Sequence, residues 1–174
     1  MSGGISKAEE KNIRKIYDII RNNSRMTFAG IASKTRLTRQ TVSKLFEKME
    51  KNKLIWGYTA IIDTKKLGYN TFALIVKMKK SMKLGIDQFE KWFVENKRDE
   101  NDVFMIYSGY FHGEYDWIAL FLAKDIIVAR QQINKFMDGY EEYVEDYILE
   151  EQLVNFRAVG FTNPNAMESI KKII

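Results

Sequence analysis

Two segments of this 174-residue chain, Val103–Phe111 and Tyr115–Ala123, are apolar on both faces that a β-strand presents, and nothing else in the sequence constrains the fold as much. At a period of two, Val103, Met105 and Tyr107 fall on one side and Phe104 and Ile106 on the other. Likewise Trp117, Ala119 and Phe121 oppose Ile118, Leu120 and Leu122. Such strands require cover on both sides of their sheet. His112-Gly113-Glu114 joins them as a hairpin, and Thr71–Met78 alternates Phe72, Leu74, Val76 and Met78 as a third strand. Ile86, Phe89 and Phe93 predict a helix over about 86–96; Ile126, Ala129, Ile133, Phe136 and Met137 predict another, and a last strand falls within Tyr147–Phe156. The order βαββαβ is ferredoxin-like, with both helices on one sheet face. The other face stays bare, and a second copy of the same sheet is the expected cover, which predicts a homodimer.

The first 62 residues follow a helical period instead. Ile13, Ile16, Tyr17 and Ile20 form one stripe on a helix from about Lys7 to Asn22. Thr27 reads as an N-cap with Met26 stapling onto Ile31, and Thr38 repeats the device with Leu37 and Val42. A third helix, Arg39 to Asn52, turns Val42, Leu45, Phe46 and Met49 inward. At ~100° per residue Gln40, Lys44, Glu47 and Lys51 lie opposite that stripe, with Ser43 and Lys48 on its flanks. A short helix, a tight turn and a helix with a polar outer face make a helix-turn-helix, led by Arg36, Arg39 and Gln40. Leu54–Ile62, β-rich and aromatic, completes a winged version. The fold class is therefore α+β: a winged helix-turn-helix over 1–62, a linker over 63–70, a ferredoxin-like domain over 71–157, and a tail over 158–174. In that tail Asn163 caps a short helix, with Pro164 at N1 and Met167, Ile170 and Ile174 as its apolar stripe.

Charge separates the two halves. Residues 1–66 hold 15 Lys and Arg against 6 Asp and Glu, a net of +9, and residues 67–174 hold 13 against 17, a net of −4. Any three-helix bundle shows amphipathic stripes, but +9 on one adds a preference for a polyanion, and double-stranded DNA is the expected partner. Glu47 is discordant unless it pairs with a neighbouring lysine or accepts from a cytosine amino group. No cysteine and a single histidine, His112, exclude disulfides and argue against a zinc site; no cofactor is expected. Glu141, Glu142, Glu145, Asp146, Glu150 and Glu151 read as a solvated acidic edge rather than a cation site. No run of about 18 apolar residues points to a membrane, so the expected location is the cytoplasm.

The order and spacing of Asn23-Ser24-Arg25-Met26-Thr27, Ile31-Ala32, Leu37-Thr38, Val42, Met49-Glu50, Leu54-Ile55-Trp56-Gly57-Tyr58, Leu67-Gly68 and Gly113-Glu114-Tyr115-Asp116-Trp117 resemble the Lrp/AsnC family of prokaryotic transcription regulators, over nearly the whole chain. The family often has an acidic residue where Ile13 stands and glycine where Lys53 stands. The resemblance implies a dimeric or larger sequence-specific regulator, not an enzyme, modulated by an amino-acid-like effector. Its DNA contacts would come from Arg36, Thr38, Arg39, Gln40, Ser43, Lys44, Lys48 and Lys51. The effector is expected beside Gly113 and Asp116, with Ser108 and Gly109 lining the same pocket. Read without the family, Gly113 supplies positive φ in a hairpin turn and Asp116 caps that turn. Two other functions compete: an architectural DNA-binding protein of low sequence preference, and a tetrapyrrole decarboxylase that looks like this family, whose proton transfers one histidine serves poorly.

Overall fold

The computed structural model describes residues 4–79 and 103–174, so the helix expected over 86–96 lies outside the described residues. The chain divides into two compact units, Met1–Ile61 with Arg157–Asn163, and Ile62–Phe156 with Pro164–Ile174.

In the first unit, polar caps set where each helix starts. Ser6 and Glu9 form a reciprocal capping box at α1 (Lys7–Ile20), the Glu9 carboxylate accepting the Ser6 N–H at 2.8 Å. Thr27 Oγ1 accepts the Gly30 N–H ahead of α2 (Phe28–Thr35), and Thr38 Oγ1 accepts the Thr41 N–H ahead of α3 (Arg39–Lys51). Ile13, Ile16, Ile31, Val42, Leu45, Phe46 and Met49 are buried together, each contributing up to about 1.5–3 kcal/mol by leaving water. The α1 stripe is narrower than its sequence period implied. Tyr17 lies outside this core with the Arg21 guanidinium over its ring, because a phenol can keep its hydroxyl wet while its ring packs against a cation. Leu54–Ile62, expected as a β-rich wing, carries no strand, since a strand exists only as part of a ladder. The unit also takes in a feature absent from the sequence reading, the hairpin β5 (Arg157–Ala158) and β6 (Phe161–Thr162). Its turn holds Val159 at φ 47 and Gly160 at φ 88, a pair of left-handed residues suited to a two-residue hairpin. Gly160 was a legible signal; a β-branched residue beside it disguised the turn.

The second unit is a four-stranded antiparallel sheet in the order β2-β3-β1-β4, built from β1 (Asn70–Met78), β2 (Phe104–Tyr110), β3 (Trp117–Ala123) and β4 (Val144–Glu151). This is the ferredoxin-like order. α4 (Ile126–Tyr140), capped by Asp125 Oδ1 on the Val128 N–H, packs Ala129 and Ile133 onto Phe72, Leu74, Val76, Trp117, Ala119 and Phe121. Phe72 stacks on Phe121 at 5.7 Å between centroids. The opposite face carries Ala73, Ile75, Ile118, Leu120 and Ile148, all half-buried, in register across β1, β3 and β4.

Four sequence expectations change here. A bulge at Ile106 shifts the alternation of β2, so Met105 shares a face with Phe121 while Tyr107 shares the open face with Leu120. The last strand begins at Val144, earlier than expected, because Glu145, Asp146, Glu150 and Glu151 give this edge strand the composition of a solvated loop. The stretch expected as linker contains a 3-10 turn, Thr64–Leu67, closed by Gly68 at φ 81, and Lys65 Nζ donates to the Leu153 carbonyl. The final helix, α5 (Ala166–Lys171), starts two residues later than the expected Asn163 cap allows, since Pro164 and Asn165 form a turn first. Its buried anchor is Ala166, while Met167 and Ile174 are exposed.

Candidate nucleic-acid interface

α2 ends when Arg36 turns left-handed at φ 57, which sends its N–H and that of Leu37 back to the Ala32 carbonyl. Two residues later Thr38 caps α3, so the turn between the helices is fixed by hydrogen bonds at both sides. α3 then buries Val42, Leu45, Phe46 and Met49 and leaves Arg39, Gln40, Lys44, Glu47 and Lys51 in solvent. Arg36 and Thr38 are exposed at its leading end, and Ser43 is half-buried. Seven of the eight residues expected to meet DNA thus lie along one wet surface or its rim.

Lys48 does not share that surface. Its Nζ sits 2.7 Å from Glu9 Oε2 and 2.9 Å from Oε1, tying α3 to the first turn of α1. The Glu9 carboxyl is held down at about 2, first by the Lys48 hydrogen bond and then by the Ser6 backbone and hydroxyl. A charge neutralised this closely is a fastener between helices. The sequence showed Lys48 on the flank of α3 but not that α1 carries its counter-ion 39 residues earlier. Glu47 has Ser43 Oγ as its neighbour at 3.5 Å, and Lys48 is engaged elsewhere. Tyr58 Oη donates to Glu50 Oε1 at 2.8 Å, and burial first, then Glu50, pushes the phenol up to about 12. The extended segment after α3 is thereby pinned to its last turn, while Trp56 stands 95% exposed. Lys53 follows α3 at φ 56, so this chain puts lysine in backbone geometry suited to the glycine that the resemblance leads one to expect there.

The four residues expected around an effector do not form one pocket within one chain. Ser108 Oγ accepts the Trp117 indole N–H at 2.8 Å on the α4-covered face. Gly109 lies on the open face, where a Cβ would come within 2.6 Å of Tyr107 Oη, so the glycine makes room for that ring. Asp116 Oδ2 accepts the Met78 N–H at 2.8 Å and the Asp116 carbonyl accepts the Phe111 N–H, so Asp116 closes the β2–β3 connection onto β1. Gly113 is exposed beside His112 and does not have positive φ; among the described residues the glycines that do are Gly68 and Gly160. Among the described residues, no three His, Cys, Asp or Glu side chains converge as a metal would need, and no helix is long and apolar enough to cross a membrane.

Residues 9–55 match the family model described as winged helix-turn-helix DNA-binding. An uncharacterised HTH-type transcriptional regulator of Pyrococcus furiosus is 29% identical over 138 residues, 77% of this chain and 88% of that protein. Among solved structures, an AsnC family transcriptional regulator from Agrobacterium tumefaciens superposes with a TM-score of 0.64 at 17% identity, covering 89% of this chain and 96% of its own. A transcriptional regulator from Neisseria meningitidis, solved as a complex with L-Met, gives 0.62 at 14% identity, covering 95% and 99%. The class these features define is a helix-turn-helix DNA-binding protein. More particularly, the chain is built on the Lrp/AsnC-type fold, as its sequence resemblance implied.

Proposed function

We propose that this chain is a sequence-specific transcription regulator that works in the cytoplasm as a homodimer or larger assembly and reads duplex DNA with α3. The observation that carries the reading is the opposition on α3 between a fully packed stripe and an exposed row containing Arg39, Gln40, Lys44 and Lys51. Gln40, Ser43 and Lys44 face base edges, while Arg36, Arg39 and Lys51 meet phosphates; Thr38 orders the leading turn and Lys48 acts through Glu9. Two recognition helices on one duplex face require half-sites about one helical turn, ~34 Å, apart or a multiple of it. Genome-wide mapping of bound sites, followed by titration of one site and of mixed-sequence DNA at stated salt, tests this. A wild-type protein with equal affinity for both is an architectural protein instead.

The dimer forms through the open sheet face around Ile118 and Leu120, whose apolar composition favours a second copy over water. An amino-acid-like effector binds between protomers beside the β2–β3 connection, where the backbone around Gly113 receives a carboxylate and Asp116 faces an ammonium. The L-Met complex of the Neisseria neighbour supports an amino acid in this role. Binding there favours one assembly over another and so changes how the recognition helices are spaced. Thermal-shift screening against the common amino acids, repeated on Asp116→Asn, which keeps an acceptor for the Met78 N–H, tests it. Stabilisation that survives undiminished places the effector elsewhere.

A further inference from the structure

We propose that Arg36 and Lys53, the two residues bracketing α3, are kept in left-handed backbone for the sake of their charge, and that they clamp DNA phosphates at the two ends of this helix. The inference rests on the reading of α3 as the DNA-contacting helix and adds Lys53 to the interface.

Both sites have backbone that glycine adopts freely and other residues adopt under strain, with φ 57 and 56. Neither can relax without opening a helix end. Arg36 donates its N–H to Ala32, and at the other end the Lys53 N–H donates to Glu50 at 2.9 Å while the Leu54 N–H donates to Met49 at 2.8 Å. Packing does not explain the side chains chosen. Both are exposed, and neither side chain has a hydrogen-bond or ion-pair partner among the described residues. What they share is a positive charge just outside the two ends of α3, Arg36 two residues ahead of the Thr38 cap and Lys53 two residues past Lys51. The third left-handed non-glycine residue among those described, Val159, closes a two-residue hairpin turn and carries no charge, so the feature that matters is strain combined with an unpartnered cation.

Length fits the role. The 13 residues of α3 span about 20 Å, and a major groove is about 12 Å wide. A helix lying in the groove therefore carries its ends past the groove floor, and cations there meet the phosphate walls. Lys48, inside the helix, is already neutralised by Glu9.

The test compares Arg36→Gly and Lys53→Gly with Arg36→Ala and Lys53→Ala in the full chain. Thermal melting and fluorescence anisotropy on a mixed-sequence DNA duplex across a salt series supply the two readouts. Each glycine variant should melt about 2–4 °C higher, as strain is relieved, yet bind several-fold more weakly, with a salt slope smaller by about 0.9. Each alanine variant should lose the same slope without gaining melting temperature, and Lys48→Ala should leave the slope unchanged. Glycine variants that melt higher and bind with the wild-type slope overturn the proposal. A lost slope with no thermal gain in either glycine variant overturns the claim that strain is tolerated for charge. A wild-type protein without salt-dependent duplex binding instead removes the reading on which the clamp rests.

Discussion

α3 and the four-stranded sheet each have two unlike faces, and they resolve the contrast differently. α3 buries one face among α1 and α2 and offers the other, charged and polar, to water, so the core of the three helices closes within the chain. The sheet buries one face under α4 and leaves Ile75, Ile118, Leu120 and Ile148 half-covered on the other. A polar leftover face costs nothing in water and is available for a polyanion. An apolar one favours association. Under the function proposed above, the difference assigns DNA recognition to the first unit and assembly to the second.

The hardest blow to this contrast is Leu120→Asp, which places a charge in the open apolar face. Where that face is covered by a second copy, the cost is several kcal/mol and sedimentation finds a monomer; an unchanged dimer would move the interface elsewhere. Phe72→Ala removes a fully buried ring from the α4 side and should destabilise the sheet unit by ~3–5 kcal/mol in chemical denaturation, yet leave the folded fraction dimeric. Gln40→Ala should reduce discrimination between specific and mixed-sequence DNA by ~1–3 kcal/mol without altering the melting temperature, because Gln40 is outside the core. The smallest effect is a pH dependence. With Glu9 held at about 2 against an ordinary 4.5, its bond to Lys48 stabilises the first unit fully above about pH 4.5 and is lost as pH falls toward 2. Denaturation midpoints followed through that window should fall in the wild type, and that contribution should be missing from Glu9→Gln.

Local signals carried much of this fold. The N-caps Thr27 and Thr38 stand where short-range hydrogen bonding puts them, and the stripe Val42, Leu45, Phe46 and Met49 is buried as its spacing required. The candidate interface was legible for the same reason, since a wheel with one packed face fixes what the other face must show. Lys48 was not, because its partner Glu9 lies on another helix. The split of Ser108 from Gly109 follows from strand alternation, whereas what engages each does not: Ser108 Oγ accepts the Trp117 indole N–H and Gly109 makes room for the Tyr107 ring.

By itself the sequence determined the three N-terminal helices, the helix after Asp125, the order of the four long strands and the sign of charge on each half, because period, capping chemistry and composition act over a few residues. Tertiary structure alone decided the bulge at Ile106 that reassigns Tyr107 to the open face, the return of Arg157–Asn163 to the first unit, and the bond from the Met78 N–H to Asp116. Each of these depends on which distant backbone or side chain arrives alongside, and one-dimensional spacing does not encode that arrival.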